Sequence, residues 1–374
     1  MDRLDPAPRR TLPVPSLIGR PLEPLYRAVI GWRNRRFDRG VGVTKLGIPV
    51  ISVGNLSVGG TGKTPMVMHV VSWLLRESSA ADPIRPCIAM RGYAPGRKRG
   101  LDAPVSDEAD VYRRVLPDVP VVAQPDRAAG IRRLLRGDVG ERPTCVVLDD
   151  GFQHRRLARD LDIVLIDASR RSLSDRLLPA GWLREPPASL HRAGLVVLTH
   201  AEMVDADEIA RIEAGVRRAS GRGVDAVTRH VWTGLVTSGE RGDRLLPLDW
   251  LLGKRVVGCC AIGNPHGFMH ALRATLSADA GCEGTLVGAM VLPDHDPFGP
   301  EVVRALAATA RDERAEAIVV TDKDWSKLRR TPIESWHGIP IVRPMLSMVF
   351  ERGRLEFDAR IVRIARWAID SPSA

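Results

Sequence analysis

The chain has 374 residues, of which 44% are hydrophobic and 27% charged. This composition can fill the cores of about two domains and excludes a wholly disordered chain. The formal net charge is +10, which suggests an anionic partner such as nucleic acid, anionic lipid or a phosphorylated substrate, although solvated arginines alone would give the same charge. The five cysteines include no C-x-x-C pair, so we expect mostly buried thiols in a reducing compartment and no zinc site.

Residues 1–40 differ in character from the rest of the chain. The opening stretch MDRLDPAPRRTLPVPS lacks the apolar core of a signal peptide, and no run approaches the ~18 apolar residues of a membrane span. We therefore expect a cytoplasmic protein. After that stretch an apolar helix face is predicted among many arginines. The residues of that face are Leu22, Leu25, Tyr26, Val29 and Ile30. A basic amphipathic helix of this kind can lie in a membrane interface or can pack on its own domain, and periodicity leaves both alternatives open.

Strand and helix patterns alternate over residues 41–225. Short apolar runs, which are typical of parallel strands buried on both faces, predict the strands. They lie at 49–53, 85–90, 119–123, 144–148, 162–166 and 194–198. With helical patterns between them, this order predicts an α/β domain with a mostly parallel sheet.

A second, smaller α/β domain is predicted at 251–374. Two short strands around a polar turn at 226–250 predict a β-hairpin that links it to the first domain. The predicted strands of the second domain are 255–262, 285–292, 316–321 and 338–342, and its predicted helices are 265–277, 300–312 and 359–369.

The stretch SVGGTGKTP, residues 57–65, follows the first predicted strand and precedes a helix. Its glycines let backbone N–H groups surround an anion, Lys63 can reach the β- and γ-phosphates, and Thr64 can bind Mg²⁺. Ser57 stands where the usual pattern G-x-x-x-x-G-K-[ST] has glycine, but the close approach to phosphate falls later in the loop. We therefore predict a P-loop. The residues expected to hold the nucleotide are Gly59, Gly60, Thr61, Gly62, Lys63 and Thr64.

The stretch TCVVLDDGFQH, residues 144–154, is an apolar strand that ends in two acids. A carboxylate at this place is the usual partner of a phosphate loop, close to Mg²⁺ or its waters. Asp149 and Asp150 repel each other unless a cation compensates them. Gln153 and His154 can make polar contacts, but spacing gives them no defined role.

Other acidic and histidine residues follow less specific patterns. Asp107 and Glu108 start a predicted helix, where acids often serve only the helix dipole. His295 lies between two aspartates after a predicted strand, which suits a general base or a surface turn. The stretch at 319–328 lacks the N-K-x-D pattern that reads guanine, so ATP is favoured over GTP.

Taken in order, these motifs resemble those of the tetraacyldisaccharide 4′-kinases of lipid A biosynthesis over nearly the whole chain. The shared stretches are VGNLSVGGTGKTP, RGY, SDE, PDR, DDGFQH, LLPAGWLREP, GNP, PDH and TDKD. The chain departs from the family pattern at Ser106, where the family commonly has Gly, and at Asp322, where it commonly has Glu.

The resemblance implies transfer of the γ-phosphate of ATP to the 4′-hydroxyl of an acylated glucosamine disaccharide 1-phosphate, giving lipid IVA. Asp107 would be the base, His295 its partner across the domain cleft, and Lys63 the residue that neutralises the phosphate. The implied Mg²⁺ ligands and supports are Thr64, Glu108, Asp149 and Asp150. The implied contacts to the phosphorylated substrate are Arg127, Gln153 and Arg184.

A lipid substrate also gives the basic N-terminal helix a purpose, namely peripheral binding at the cytoplasmic face of the bacterial inner membrane. We expect a monomer that does not bind nucleic acid, since no nucleic-acid-binding module is recognisable. Two other classes compete with this prediction. A P-loop kinase or ligase with a soluble substrate would leave the helix unexplained. A nucleotide-dependent switch or metal-centre chaperone often carries KGGxGK[ST], where this chain has Val58 in place of the lysine.

Overall fold

The structure is a computed structural model that describes residues 16–92, 107–170, 173–239, 242–277, 281–294, 296–329 and 331–370. The chain divides into two compact units. The first runs to Arg229 and takes the chain back from Phe350 onward, and the second is His230–Val349.

Strands and helices alternate along the described residues. The strands are β1 (Val50–Asn55), β2 (Pro86–Met90), β3 (Val121–Ala123), β4 (Cys145–Asp149), β5 (Leu161–Asp167), β6 (Leu195–Thr199), β7 (Ala226–Gly239), β8 (Gly242–Leu246), β9 (Arg255–Cys260), β10 (Thr285–Val291), β11 (Ala317–Val320) and β12 (Ile341–Arg352). The α-helices are α1 (Ser16–Asp38), α2 (Lys63–Arg76), α3 (Asp107–Val115), α4 (Arg127–Leu135), α5 (Ala206–Ser220), α6 (Pro265–Leu276), α7 (Pro300–Asp312), α8 (Asp322–Leu328) and α9 (Arg354–Asp370).

The first unit is built on parallel strands in the order β7-β6-β5-β1-β4-β2-β3. This confirms the predicted α/β class and all six strands predicted between residues 49 and 198. The central strand β1 lies between β4 and β5 and is buried along its whole length, as expected of a strand covered on both faces. Because the strands are parallel, the carboxyl ends of β1, β4, β5 and β6 meet at one edge, where α/β proteins bind their ligands.

Two glycines bring the loop after β4 close to β1. A Cβ added to Gly54 would lie 2.5 Å from Cβ of Phe152, and one added to Gly151 would lie 2.5 Å from Oγ of Ser52. Phe152 is fully buried in the core beside Leu56. The loop that carries the DDGFQH stretch is therefore fixed against the strand that leads into the P-loop.

The second unit contains the parallel strands β10-β9-β11-β12 and the antiparallel pair β7 and β8. The predicted hairpin at 226–250 is present, although β7 has 14 residues and is not short. The buried Asp324 carboxylate accepts a hydrogen bond from the Thr321 hydroxyl at 2.6 Å and from the Ala261 N–H at 3.0 Å. It thereby joins the ends of β9 and β11.

The chain path between the units differs from the expected domain 251–374. Both unit boundaries fall inside strands, one in β7 and one in β12, and α9 belongs to the first unit, where it lies against α2. The Nε2 of His69 in α2 is 2.9 Å from Oδ1 of Asp358 in α9. Periodicity identified a final helix, but it carries no information about which strands that helix covers.

The cysteines are free thiols. Four of them, Cys87, Cys145, Cys259 and Cys260, are buried, and Cys282 is exposed. Burial raises the pKa of Cys87 to about 12 and that of Cys260 to about 12. The expectation of mostly buried thiols is confirmed.

Candidate phosphate site at the carboxyl end of the sheet

The segment between β1 and α2 has the backbone of a phosphate-binding loop. Gly59 and Gly62 have φ of 108° and 79°, a region that residues with a side chain rarely adopt. Gly62 is the N-cap of α2, and the first turn of that helix contains no acidic residue. The free N–H groups and the dipole of the helix N-terminus are therefore available to an anion.

The ends of β1 and β6, which lie on either side of β5, hold this loop in place. The Asn55 side chain donates to Oγ1 of Thr61 at 2.9 Å. The Thr199 hydroxyl, at the end of β6, donates to the carbonyl oxygen of Thr61 at 3.1 Å. Asn55 and Thr199 were not identified from the sequence, because their importance depends on two strand ends, one on each side of β5, that come together only in the folded sheet.

Ser57 has a partner that the loop sequence does not reveal. It forms an antiparallel bridge with Leu183, and the N–H of Val58 donates to the carbonyl oxygen of Trp182 at 2.8 Å. The serine that replaces the usual glycine is therefore part of a short extended pairing with the LLPAGWLREP segment. The turn around the anion begins only at Gly59.

A cluster of opposite charges lies next to the loop. The Arg184 Nη1 donates to both carboxylate oxygens of Asp150 at 2.8 Å and to Oε1 of Gln153 at 3.2 Å. The Lys63 Nζ is 3.6 Å from Oδ1 of Asp150. Burial raises the pKa of Asp150, but Lys63 and Arg184 outweigh burial and hold the pKa at about 2. Asp150 is therefore ionised. It lies between the P-loop lysine and an arginine that is distant in sequence.

The two adjacent aspartates have different surroundings. Asp149 is buried at the end of β4, in register with Val53 of β1, and its Oδ2 accepts a hydrogen bond from the Tyr112 hydroxyl at 3.0 Å. Asp150 has a φ of 50°, and this left-handed turn points the two carboxylates at different partners. The carboxylate of Asp149 and the hydroxyl of Thr64 are oxygen ligands of the kind that Mg²⁺ prefers, so the donors here fit that ion.

The structure describes the predicted base and its partner only in part. Asp107 and Glu108 begin α3, so the SDE stretch does lead into a helix. Their side chains, and the whole of His295, lie outside the described residues. The same helix reaches the site through Tyr112 and its hydrogen bond to Asp149.

Arg127 is buried beside the cluster at the start of α4. Its Nη1 donates to the carbonyl oxygen of Asp150 at 3.4 Å, and its Nε has no hydrogen-bond partner within the described part of the chain. Burial lowers the pKa of Arg127, while Asp150 and Asp149 oppose that change. A buried arginine with an unused N–H is suited to bind a phosphate or carboxylate oxygen.

Gln153 and His154 follow the same turn. The Gln153 Nε2 donates to the carbonyl oxygen of Asn55 at 2.8 Å, while its Oε1 accepts from Arg184. Gln153 thus links Arg184 to the end of β1. The predicted contact of Gln153 with the substrate stays a prediction. Burial lowers the pKa of His154 to about 4, and neighbouring arginines including Arg127 add to the effect, so its ring is neutral at pH 7.

The apolar face predicted for the N-terminal helix α1 consists of two sets of residues that point in different directions. Tyr26 and Ile30 face the rest of the first unit, together with Glu23 and Asn34. The apolar residues that remain exposed, called the outer stripe below, are Ile18, Leu22, Leu25, Val29 and Trp32. Periodicity grouped both sets as one face because they are neighbours on the helix. Among the described residues, every helix is either too short or too polar to cross a bilayer.

A protein-family model described as Tetraacyldisaccharide-1-P 4′-kinase matches residues 16–357. The chain belongs to this family. The tetraacyldisaccharide 4′-kinase of Anaeromyxobacter dehalogenans strain 2CP-C is 36% identical over 331 residues, which cover 84% of this chain and 83% of the relative. That of Chlorobium luteolum is 31% identical and covers 94% of this chain and 98% of the relative.

A solved structure agrees with this assignment. The crystal structure of LpxK from Aquifex aeolicus in complex with ATP is 30% identical in sequence, has a TM-score of 0.64, and covers 92% of this chain and 97% of its own. The predicted family, the P-loop type of α/β fold and the use of ATP are therefore confirmed. As a member of the tetraacyldisaccharide 4′-kinase family, the chain is a phosphotransferase of lipid A biosynthesis, and the two competing classes are set aside.

Proposed function

We propose that this chain transfers the γ-phosphate of ATP to the 4′-hydroxyl of tetraacyldisaccharide 1-phosphate while bound, as a peripheral monomer, to the cytoplasmic face of the inner membrane. The observation that carries the catalytic part is the cluster of Lys63, Asp150 and Arg184 beside the P-loop. It places fixed cations next to backbone N–H groups that are ready to receive an anion.

Phosphoryl transfer depends mainly on positioning and on neutralising charge over the phosphate oxygens. The backbone from Gly59 to Thr64 cradles the triphosphate, and Lys63 binds its β- and γ-oxygens. Asp150 orients that lysine, because the two charges are 3.6 Å apart. Arg127 and Arg184 add positive charge for the phosphorylated acceptor.

Thr64, Asp149 and Glu108 would hold Mg²⁺, which supplies further neutralisation of the phosphate oxygens when bound. Of the two aspartates, Asp149 is the better ligand on electrostatic grounds. Asp150 already has Lys63 and Arg184 within 3.6 Å, and these cations repel a third one. We therefore assign Asp150 to the lysine and not to the metal.

Asp107 takes the proton of the attacking hydroxyl, with His295 as its partner. The position of Asp107 at the start of α3, which is linked to Asp149 through Tyr112, supports this assignment. A positioned base contributes roughly 10²–10⁴-fold, so Asp107→Ala should lose most turnover while ATP binding, measured by calorimetry, persists. Turnover close to that of the unsubstituted chain would remove Asp107 from this role.

The activity itself is tested with purified protein, labelled ATP, Mg²⁺ and the acylated disaccharide 1-phosphate dispersed in detergent. We expect label at the 4′-oxygen of the disaccharide. Absence of product from folded protein that binds ATP would refute the proposal.

The outer stripe and the arginines around it support the proposed membrane binding. Exposed apolar residues on one side of a basic helix can enter the lipid interface, and each basic residue adds on the order of 1 kcal/mol at an anionic surface. Leu25 is 63% exposed, and burying a leucine side chain contributes about 1.5–3 kcal/mol.

Leu25→Ser should therefore weaken sedimentation with anionic vesicles by roughly tenfold or more. Leu355→Ser is the matched control, because Leu355 is also an exposed leucine on a helix, with 81% exposure in α9. Equal vesicle binding by both variants would mean that α1 has only a structural role.

A further inference from the structure

We propose that Tyr26 and Glu185 are positioning residues for Arg184, so that the contacts of α1 to Arg184 and Glu185 set the geometry of the phosphate site. This inference rests on the proposed function only in assigning Arg184 to the binding of phosphate groups. The residues of α1 that are involved, such as Tyr26 and Asn34, pack on the protein. The outer stripe, on which the proposed membrane binding depends, is a different set of residues.

Arg184 and Glu185 form a junction between the site and the helix. The Arg184 side chain holds Asp150 and Gln153, and its backbone N–H donates to the carbonyl oxygen of Leu56, at the entrance to the P-loop, at 2.7 Å. The next side chain, Glu185, is fully buried. It accepts a hydrogen bond from Arg192 at 2.9 Å.

From the other side, α1 contacts both residues of the junction. The Tyr26 hydroxyl donates to the carbonyl oxygen of Arg184 at 3.0 Å. The Asn34 Nδ2 donates to Oε2 of Glu185 at 2.8 Å, and the Arg33 Nη2 lies 3.7 Å from Oε1. Burial raises the pKa of Tyr26, so the phenol keeps the proton that it donates.

A second contact joins α1 to the DDGFQH segment. Arg155, one residue beyond that segment, donates from Nη1 to the carbonyl oxygen of Asn34 at 3.0 Å and from Nη2 to Asp38 at 2.6 Å. The helix therefore touches both segments that supply Arg184 and Asp150. A loss of these contacts would act on Lys63 through Arg184 and Asp150.

The helix offers a natural comparison one turn before Tyr26. Glu23 is also buried and anchors α1, but its partners outside the helix are the Arg176 side chain at 3.1 Å and the Leu177 N–H at 3.3 Å. Weakening this anchor loosens the helix without removing a bond to Arg184. Glu23→Gln is therefore the control for a general effect of helix docking.

The decisive experiment is a double-mutant cycle between Tyr26→Phe and Arg184→Lys, with kcat/KM for ATP measured on detergent-dispersed acceptor. Tyr26→Phe removes one hydroxyl and keeps the ring, so we expect kcat/KM to fall about 3- to 10-fold, the net worth of one hydrogen bond. In the Arg184→Lys background it should have almost no further effect, because residues that act through each other are not additive. Glu23→Gln should leave kcat/KM unchanged.

A full second loss in the Arg184→Lys background, or an equal loss from Glu23→Gln, would overturn the inference and leave Tyr26 as a structural residue. The same cycle on ATP affinity, measured by calorimetry, needs no acceptor. A chain that forms no product but shows the non-additivity in ATP affinity would refute the proposed function and support the positioning role. Vesicle binding of Tyr26→Phe should match that of the unsubstituted chain, since Tyr26 lies outside the outer stripe.

Discussion

Removing the charge of Asp150 should separate turnover from ATP binding. The Lys63 Nζ lies 3.6 Å from the Asp150 carboxylate, which corresponds to about 4–5 kcal/mol at an effective dielectric constant of ~20. The Asp150 side chain is 36% exposed, so screening by water reduces this interaction to about 1–2 kcal/mol. If that energy holds Lys63 in place for the transition state, Asp150→Asn should lower kcat about 5- to 30-fold.

The Michaelis constant for ATP should not rise, because the variant removes a negative charge next to the triphosphate. Asp82→Asn is the matched control, since Asp82 has a side-chain exposure of 35% and pairs with Arg366 at 2.7 Å, outside the charge cluster. Initial rates over a range of ATP concentrations give both constants. A kcat within about twofold of the unsubstituted chain, or a large rise in KM at unchanged kcat, would show that Asp150 acts in some way other than by orienting Lys63.

Three further predictions concern stability and pH. Gly54→Ala should lower the melting temperature markedly, because the new Cβ would lie 2.5 Å from Cβ of Phe152; an unchanged melting temperature would mean that the loop after β4 yields easily. The folded-state pKa of His154 is about 4, below the ordinary ~6.5, so the unfolded chain binds the extra proton first and stability should fall as pH drops from ~6.5 to ~4, by at most about 3 kcal/mol. His154→Gln should flatten that part of a urea-unfolding profile, and an unaltered slope would contradict the assignment. Asp324→Ala should cost about 2–4 kcal/mol by leaving the Ala261 N–H without its buried acceptor, which urea unfolding followed by circular dichroism would detect.

Much of the site was visible in the sequence because it is local. The glycines, Lys63 and Thr64 lie within one strand-loop-helix junction, and the acids of DDGFQH follow directly from an apolar strand. The parallel arrangement of the first unit also follows from pattern, since strands buried on both faces leave continuous apolar runs. These features need only short-range chain geometry.

The chain path was less accessible. The return of α9 to the first unit depends on which strands offer an uncovered face, and amphipathic periodicity is the same in either place. The sequence did not show which apolar residues of α1 pack on the protein and which are exposed, for a related reason. A period of 3.6 residues marks apolar positions, but it does not distinguish Tyr26, which packs on the protein, from Leu25, which faces outward.

By itself, the sequence determined that this protein is an α/β enzyme with a P-loop, and its motif order indicated the family. Only the tertiary structure decided which partners Asp149 and Asp150 have. Asp149 and Asp150 are neighbours in sequence, yet one meets Tyr112 and the other meets Lys63 and Arg184. Charges interact according to distance in space, and those distances are fixed by strands and loops that are far apart along the chain.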